Sequence, residues 1–384
     1  MLAITGSRAD YGLLSGPLRA IRKTDGLDLR LAITGSHLLA AGGSSRQEIL
    51  DDGFEIDAEI DPELSGDSPQ HIAEATGRIT AAAAAVFVDQ PPDIALVLGD
   101  RYEMLAVAIS AALMEVPIAH IHGGEATLGA IDDSLRNAIT KLSSLHFACA
   151  EPYRDRIIQM GELPERVFNV GAPGIEQLLK TPRAELSEIW NLLGRELPAP
   201  FVLVTYHPET AGRPDPAKDV AELLAALEAS GAGGILFTGV NADARHNEVA
   251  EAIQSFVAAT PGRAAHVGNM GQRLYWTAMA HCAAVVGNSS SGIIEAPSLR
   301  VPTVNIGTRQ KGRLRAGSVI DCAPGRKEIL GALERAFDRD LVLDGQTPYG
   351  SGETSALIAR NLASADIGAL SIKPFYDIVG GRAA

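Results

Sequence analysis

The feature that most constrains this chain is a rhythm. Short apolar runs of strand length alternate with stretches of helical pattern: Leu2 to Thr5, Leu29 to Thr34, Asp93 to Leu98, Pro117 to Ile121 and Val167 to Val170. Runs of that kind, with helices between them, are strands buried on both faces and joined by crossovers, which makes the sheet parallel. The rhythm lapses near Leu179 and resumes after the Pro198 to Pro200 stretch with Phe201 to Thr205, Gly234 to Thr238, Ala283 to Gly287 and Pro302 to Ile306. An α/β chain with two Rossmann-like lobes is therefore expected: residues 1–180, residues 181–360, and a tail at 361–384 that packs back on the first lobe. The boundary falls among Pro182, Pro198 and Pro200, although Glu185 to Leu193 reads as a helix. The length of 384 residues fits two domains of ordinary size. The alanine-rich segment Ala81 to Ala85 lies inside a helical pattern from His71 to Val88, so helix propensity accounts for it.

Composition narrows the function. A formal charge of −14 argues against nucleic acid as a partner, because phosphate backbones need a concentrated basic face. No apolar run reaches about 18 residues and the N-terminus lacks a charged signal region, so a soluble cytoplasmic protein with no membrane partner is expected. Cys149, Cys282 and Cys322 show no CxxC pairing and read as buried thiols without a redox or zinc role.

In open parallel sheets ligands bind beyond the C-terminal ends of the strands, and several polar motifs lie there. Gly6-Ser7-Arg8-Ala9-Asp10-Tyr11-Gly12 puts an arginine near a helix start, suited to a phosphate or a base or simply solvated in a turn. Neither GxGxxG nor GxxxxGK[ST] is present, so neither a dinucleotide fingerprint nor a P-loop is indicated. Gly99-Asp100-Arg101-Tyr102-Glu103 sets a carboxylate at the mouth of the sheet, where an aspartate also serves as a helix cap. His120-Ile121-His122-Gly123-Gly124-Glu125 alternates so that both histidines face one side; no third ligand follows at familiar spacing, and no metal is expected. Asp132-Asp133-Ser134 opens a helical stretch. Carboxylates brought together shift one another's proton affinity, which is how one serves as base while another stays protonated. In the second half His207 follows a strand, Asn288-Ser289-Ser290-Ser291-Gly292 offers hydroxyls and N–H groups at a helix start, and Arg309-Gln310-Lys311-Gly312-Arg313-Leu314-Arg315 is the densest basic stretch.

Taken together these motifs resemble the hydrolysing UDP-N-acetylglucosamine 2-epimerases of bacterial sialic-acid synthesis. The resemblance spans nearly the whole chain: GSRADYG from Gly6, TGSH from Thr34, GDRYE from Gly99, HIHGGE from His120, TYHPET from Thr205, GNSSSGIIEAPSL from Gly287 and RQKGRLRAGSVID from Arg309. It implies the glycosyltransferase-B architecture with a central cleft, UDP on the second lobe and the sugar facing the first. By motif it implies acid–base roles for Asp100, Glu125, Asp132 and His207. It also implies a uridine-side contact from Arg8, diphosphate donors in Ser289 and Ser290, a ribose contact from Glu295 and a phosphate contact from Arg309; Arg101 and His122 join the substrate-binding set. The non-hydrolysing relatives carry a glutamate where this chain has His122 and begin with Thr-Arg-Pro-Glu, so GSRADYG favours the hydrolysing branch.

The implied reaction turns UDP-N-acetylglucosamine and water into N-acetylmannosamine and UDP, by elimination of UDP and hydration of the resulting glucal, with no cofactor. The alternatives are the same reaction on UDP-N,N'-diacetylbacillosamine, a UDP-sugar glycosyltransferase and a non-catalytic nucleotide-sugar sensor. The Ser289 to Leu299 motif and the Phe375-Tyr376-Asp377-Ile378 tail lean toward the N-acetylglucosamine branch, and the relatives suggest a homodimer or homotetramer.

Overall fold

Each of the nine apolar runs contains a strand in the computed structural model. The structure describes residues 1–384 except 39–42, 64–65, 67, 127–130, 209–214, 240–245, 339 and 379–384. It divides into two units, one of Met1–Gln177 with Tyr349–Ala384 and one of Leu178–Pro348. The chain thus re-enters the first unit at Tyr349, before the expected residue 361.

The first unit holds β1 (Leu2–Thr5), β2 (Arg30–Thr34), β3 (Ala58–Ile60), β4 (Ala95–Leu98), β5 (Ile118–Ile121), β6 (Leu145–Ala148) and β7 (Val167–Asn169), in the order β3-β2-β1-β4-β5-β6-β7. All neighbours are parallel. The second holds β8 (Phe201–Thr205), β9 (Gly234–Thr238), β10 (Ala264–Val267), β11 (Ala284–Gly287), β12 (Thr303–Ile306) and β13 (Val319–Cys322), in the order β10-β9-β8-β11-β12-β13, again parallel. In each sheet the order reverses once, between β1 and β4 and between β8 and β11. A crevice opens at such a reversal in doubly wound sheets.

Alternation along the strands explains why they read as unbroken apolar runs. In β1, Leu2 and Ile4 belong to one buried cluster and Ala3 to another; Ala95 and Val97 of β4 join the first, Leu96 and Leu98 the second. The second sheet divides likewise, with Val202 and Val204 on one side and Phe201 and Leu203 on the other. Each sheet is covered by helices on both faces, so side chains of both orientations must be apolar.

The helix Pro69–Asp89 contains the alanine run, and Leu186–Leu193 forms the helix expected after the first half, closed at its start by a capping box between Glu185 and Glu188. The helix Thr354–Ala363 packs along Arg8–Arg22, and its Ile358, Ala359 and Leu362 are part of the first unit's core. Beyond it, Lys373 Nζ reaches Glu162 Oε2 at 2.5 Å, beside Lys141 Nζ at 2.6 Å from Oε1 and His146 Nε2 at 3.1 Å from Oε2. Burial alone would raise the Glu162 carboxyl, but the three bonds outweigh it and hold it at about 2. Among the described residues no helix is long and apolar enough to cross a membrane.

Because Ile358 is fully buried, we expect Ile358→Ala to destabilise the first unit by about 2–5 kcal/mol, the cost of the lost methyl groups and the cavity they leave. Urea unfolding followed by a probe in that unit measures it; a loss under about 0.5 kcal/mol would show that the helix is dispensable to this core.

Candidate active site

In the first unit the loops after β1, β2 and β4 share a buried polar layer. Ser7 caps the helix Arg8–Arg22, accepting from the Asp10 amide at 3.2 Å. The Asp10 carboxyl is buried, and its Oδ2 lacks a hydrogen bond among the described residues, with Arg101 Nε 3.9 Å away. Burial raises that carboxyl against the opposing pull of Ser7 and Arg101. Arg101 itself is fixed by Glu103, which is fully buried and takes bonds of 2.6 and 3.1 Å from the guanidinium. His37, from the TGSH motif, bonds Thr5 Oγ1 at 3.1 Å and Ser45 Oγ at 3.0 Å, and burial pushes its imidazole down to about 4. It is a neutral structural group. Arg8 stands apart from this layer, exposed and paired with Glu48 at 3.0 Å.

The segments after β4 and β5 gather the carboxylates. Arg136, on the helix Ile131–Leu142 and only 3% exposed, is their hub. Its guanidinium bonds Asp100 Oδ2, Asp133 Oδ1 at 3.2 Å and the Glu125 carbonyl at 2.9 Å. Asp132 lies one turn before Arg136; burial raises its carboxyl, Asp100 adds to the rise, and Arg136 and Arg101 counter it. Asp100 and Arg101, after β4, and Glu125 and Asp132, both after β5, are thereby assembled in one region from two strand ends and not three.

The two histidines of HIHGGE part company. His120, inside β5, is fully buried between Gly99 O at 2.8 Å and Thr140 Oγ1 at 3.2 Å, and burial holds it down to about 3. The expected alternation ends at Ile121, because His122 has φ +68°, a left-handed conformation that costs a non-glycine residue energy. That turn aims His122 Nδ1 at Glu125 Oε1. Gly124, at φ +76°, admits the reversal, since a Cβ there would strike the Tyr153 carbonyl. Cys149, one residue past β6, donates from Sγ to the same Glu125 oxygen at 3.1 Å. His122 Nε2 is buried without a hydrogen-bond partner among the described residues.

The second unit carries a cavity of about 450 Å³ at its own reversal point, lined by Thr205, His207, Tyr275, Trp276, Ser289, Ser290, Ser291, Glu295 and Arg309 among others. Asn288 organises it. Its fully buried amide accepts from the His207 amide at 2.7 Å and donates to the His207 carbonyl at 2.8 Å, and its own carbonyl receives Arg309 Nη1 at 3.2 Å and Gln310 Nε2 at 2.9 Å. Ser289 caps the short helix Ser290–Ile294. Trp276 Nε1 donates to Glu295 Oε2 at 3.2 Å; burial outweighs that bond and pushes the Glu295 carboxyl up to about 7. Glu209 and Thr210, the end of the TYHPET motif, lie outside the described residues.

The sequence thus missed Arg136, Asn288, Cys149 and Trp276. Arg136 had a usable signal, standing four residues after Asp132 on one helix face. Cys149 and Trp276 had none, because only the folded sheet brings them to the sites.

The raised Glu295 carboxyl has a sign that can be checked. An acid held above its unfolded value, near 4.3, weakens the fold once the unfolded chain ionises; the deficit grows from about pH 4 to about 7 and is level above that. Glu295→Gln should therefore melt at a higher temperature than the parent at pH 8 and at the same temperature near pH 4. Equal melting at both would mean that the carboxyl is solvated.

The chain matches the family model described as UDP-N-acetylglucosamine 2-epimerase over residues 19–363. It is 35% identical to the polysialic acid biosynthesis protein P7 of Escherichia coli, over 91% of this chain and 90% of that protein. It is likewise 35% identical to the hydrolysing GDP/UDP-N,N'-diacetylbacillosamine 2-epimerase of Campylobacter jejuni, over 88% and 86% of the two chains. A solved structure of the Neisseria meningitidis UDP-GlcNAc 2-epimerase bound to UDP-GlcNAc superposes with a TM-score of 0.74 over 95% of this chain and 99% of that one, at 17% identity. The two parallel-sheet units are therefore of the glycosyltransferase-B kind, and this chain belongs to the UDP-N-acetylglucosamine 2-epimerase family, on the side of its hydrolysing enzymes.

Proposed function

We propose that the enzyme converts UDP-N-acetylglucosamine and water to N-acetylmannosamine and UDP. The observation that carries this reading is the gathering of Asp100, Glu125 and Asp132 around the buried Arg136, since a reaction at carbon 2 of the sugar needs both a base and an acid. The second unit holds the nucleotide: Ser289, Ser290 and Arg309 donate to the diphosphate and Glu295 accepts from ribose, all of them lining the 450 Å³ cavity. His207, clamped at both backbone atoms by Asn288, assists departure of the phosphate.

In the first step a carboxylate, Asp100 or Glu125, takes the proton from carbon 2 while the bond from carbon 1 to the UDP oxygen breaks, leaving 2-acetamidoglucal. Water then adds to carbon 1, and a proton reaches carbon 2 from the opposite face. Asp132 suits the donor role, because burial and the nearby Asp100 charge raise its carboxyl above the ordinary aspartate range. Arg101, anchored by Glu103, and His122 orient the sugar. No redox step is involved.

The kinship with the polysialic acid protein supports N-acetylmannosamine as the product. A second reading keeps the reaction and changes the sugar to UDP-N,N'-diacetylbacillosamine, and the Campylobacter relative favours it. Comparing kcat/KM for the two substrates decides between them. In heavy water the N-acetylmannosamine formed should carry deuterium at carbon 2, and product without it would rule out proton abstraction there. UDP release with no acceptor present separates this reaction from glycosyl transfer. Asp100→Asn should lower kcat at least about a hundredfold, the usual contribution of a general acid or base, while UDP affinity is unchanged. Retained turnover would remove Asp100 from the mechanism.

A further inference from the structure

The ends of β5 and β6 bring together an imidazole, a thiol and one of the site's carboxylates. The strands pair in parallel with His120 beside His146 and Ile121 beside Phe147, and the His122 amide continues the ladder to the Phe147 carbonyl at 3.0 Å. His122 and Cys149 each stand one residue beyond their strand, and the Gly123-Gly124 turn folds Glu125 back between them. One ligand atom from each of His122, Glu125 and Cys149 lies within 4.8 Å of the others, and Cys149 Sγ is 3.1 Å from Glu125 Oε1. Tetrahedral zinc, with ligands at about 2.0–2.3 Å, separates its donors by about 3.3–3.8 Å, so small side-chain adjustments would admit an ion. Cys149 is 2% exposed, and the His122 and Glu125 side chains are 16% and 13% exposed.

The donor set selects the ion. A thiolate and an imidazole favour zinc and its soft or borderline neighbours over magnesium, calcium or manganese, which take oxygen. Three protein ligands leave a fourth position for water, the pattern of an open zinc site. His120, the other imidazole of the motif, is committed to Gly99 and Thr140 and does not join the set. The Arg136 guanidinium, which bonds the Glu125 carbonyl, has its charge offset by Asp100 and Asp133.

We propose that His122, Glu125 and Cys149 form a binding site for a thiophilic divalent cation, zinc foremost, and that an ion there withdraws Glu125 from catalysis. On binding, the Cys149 thiol gives its proton to solvent, and the carboxylate and a neutral imidazole nitrogen complete the protein ligands. The site makes this a zinc-inhibited enzyme whose inhibition a chelator reverses. The effect on turnover rests on the catalytic role proposed for Glu125; the binding does not.

The test uses full-length, tag-free protein stripped with a chelator, dialysed to equilibrium against zinc and, in parallel, titrated with cobalt(II). We expect about one zinc per chain, a near-ultraviolet thiolate-to-cobalt charge-transfer band, and no competition from excess magnesium. Cys149→Ala should abolish the band, and Cys149→Ala and His122→Gln should each weaken zinc binding at least about tenfold. Cys322→Ser should leave band and affinity as they are. Zinc should slow UDP release by the parent enzyme and not by Cys149→Ala, each referred to its own metal-free rate. A zinc site that survives Cys149→Ala, a band that disappears with Cys322, or the absence of stoichiometric binding would each overturn the proposal. Because dialysis and spectrum need no substrate, an enzyme inert toward UDP-N-acetylglucosamine would refute the proposed function without altering their result.

Discussion

Burial of both faces of each sheet is the constraint from which the rest of the structure follows. Leu2, Ile4, Ala95 and Val97 on one side, and Ala3, Leu96 and Leu98 on the other, leave no face of the first sheet available for polar chemistry. The polar side chains of the candidate site therefore lie in the segments beyond the strand ends, where backbone groups are already turned away from the ladder. Asp100 follows β4, Glu125 follows β5, His207 follows β8 and Asn288 follows β11 for that reason. The reversal in strand order then selects which loops separate enough to admit a ligand.

Within that frame two buried polar residues set the geometry. Arg136 ties Asp100, Asp133 and the Glu125 backbone into one assembly, and Asn288 does the same for His207, Arg309 and Gln310. Both use several donors or acceptors at fixed angles, a guanidinium in one case and a side-chain amide together with its own backbone carbonyl in the other, so each holds more than one element at once. A buried charge of this kind is tolerated because its partners are also charged or polar and every bond is directed. The left-handed His122 belongs to the same economy of position, since its strained backbone is what turns the imidazole toward Glu125.

What could be read from the sequence was whatever depends on local pattern. The nine short apolar runs, the Ala81 to Ala85 helix and the acidic helix start at Asp132 all follow from periodicity or helix-end charge, which act over a few residues. β3, β10 and β13 were not anticipated, because each lies at a sheet edge and is only partly apolar: β3 spans Ala-Glu-Ile and β13 ends in Asp321 and Cys322. The interior strand β6 was missed for another reason. His146 interrupts its apolar character, and its demand for a partner is met by Glu162, sixteen residues on. Of the site, the carboxylates were legible because strand ends concentrate function, whereas Cys149 and Trp276 acquire neighbours only through tertiary contacts. The paired facing of His120 and His122 was expected from strand alternation, and it failed where a positive φ ended the strand.

The helix Thr354–Ala363 has a consequence for how the molecule is made. Its Ile358, Ala359 and Leu362, with Leu370 beyond it, complete a core whose other buried members come from residues before Gln177, so the second unit is an insertion within the first. On the ribosome, all of Leu178–Pro348 emerges before that helix does. The second unit is a continuous stretch of chain, while part of the first unit's apolar surface stays uncovered until Thr354–Ala363 has been made. The order in which the units can be completed is therefore the reverse of the order in which they begin: the second unit first, and the unit bearing Asp100, Glu125 and Asp132 last.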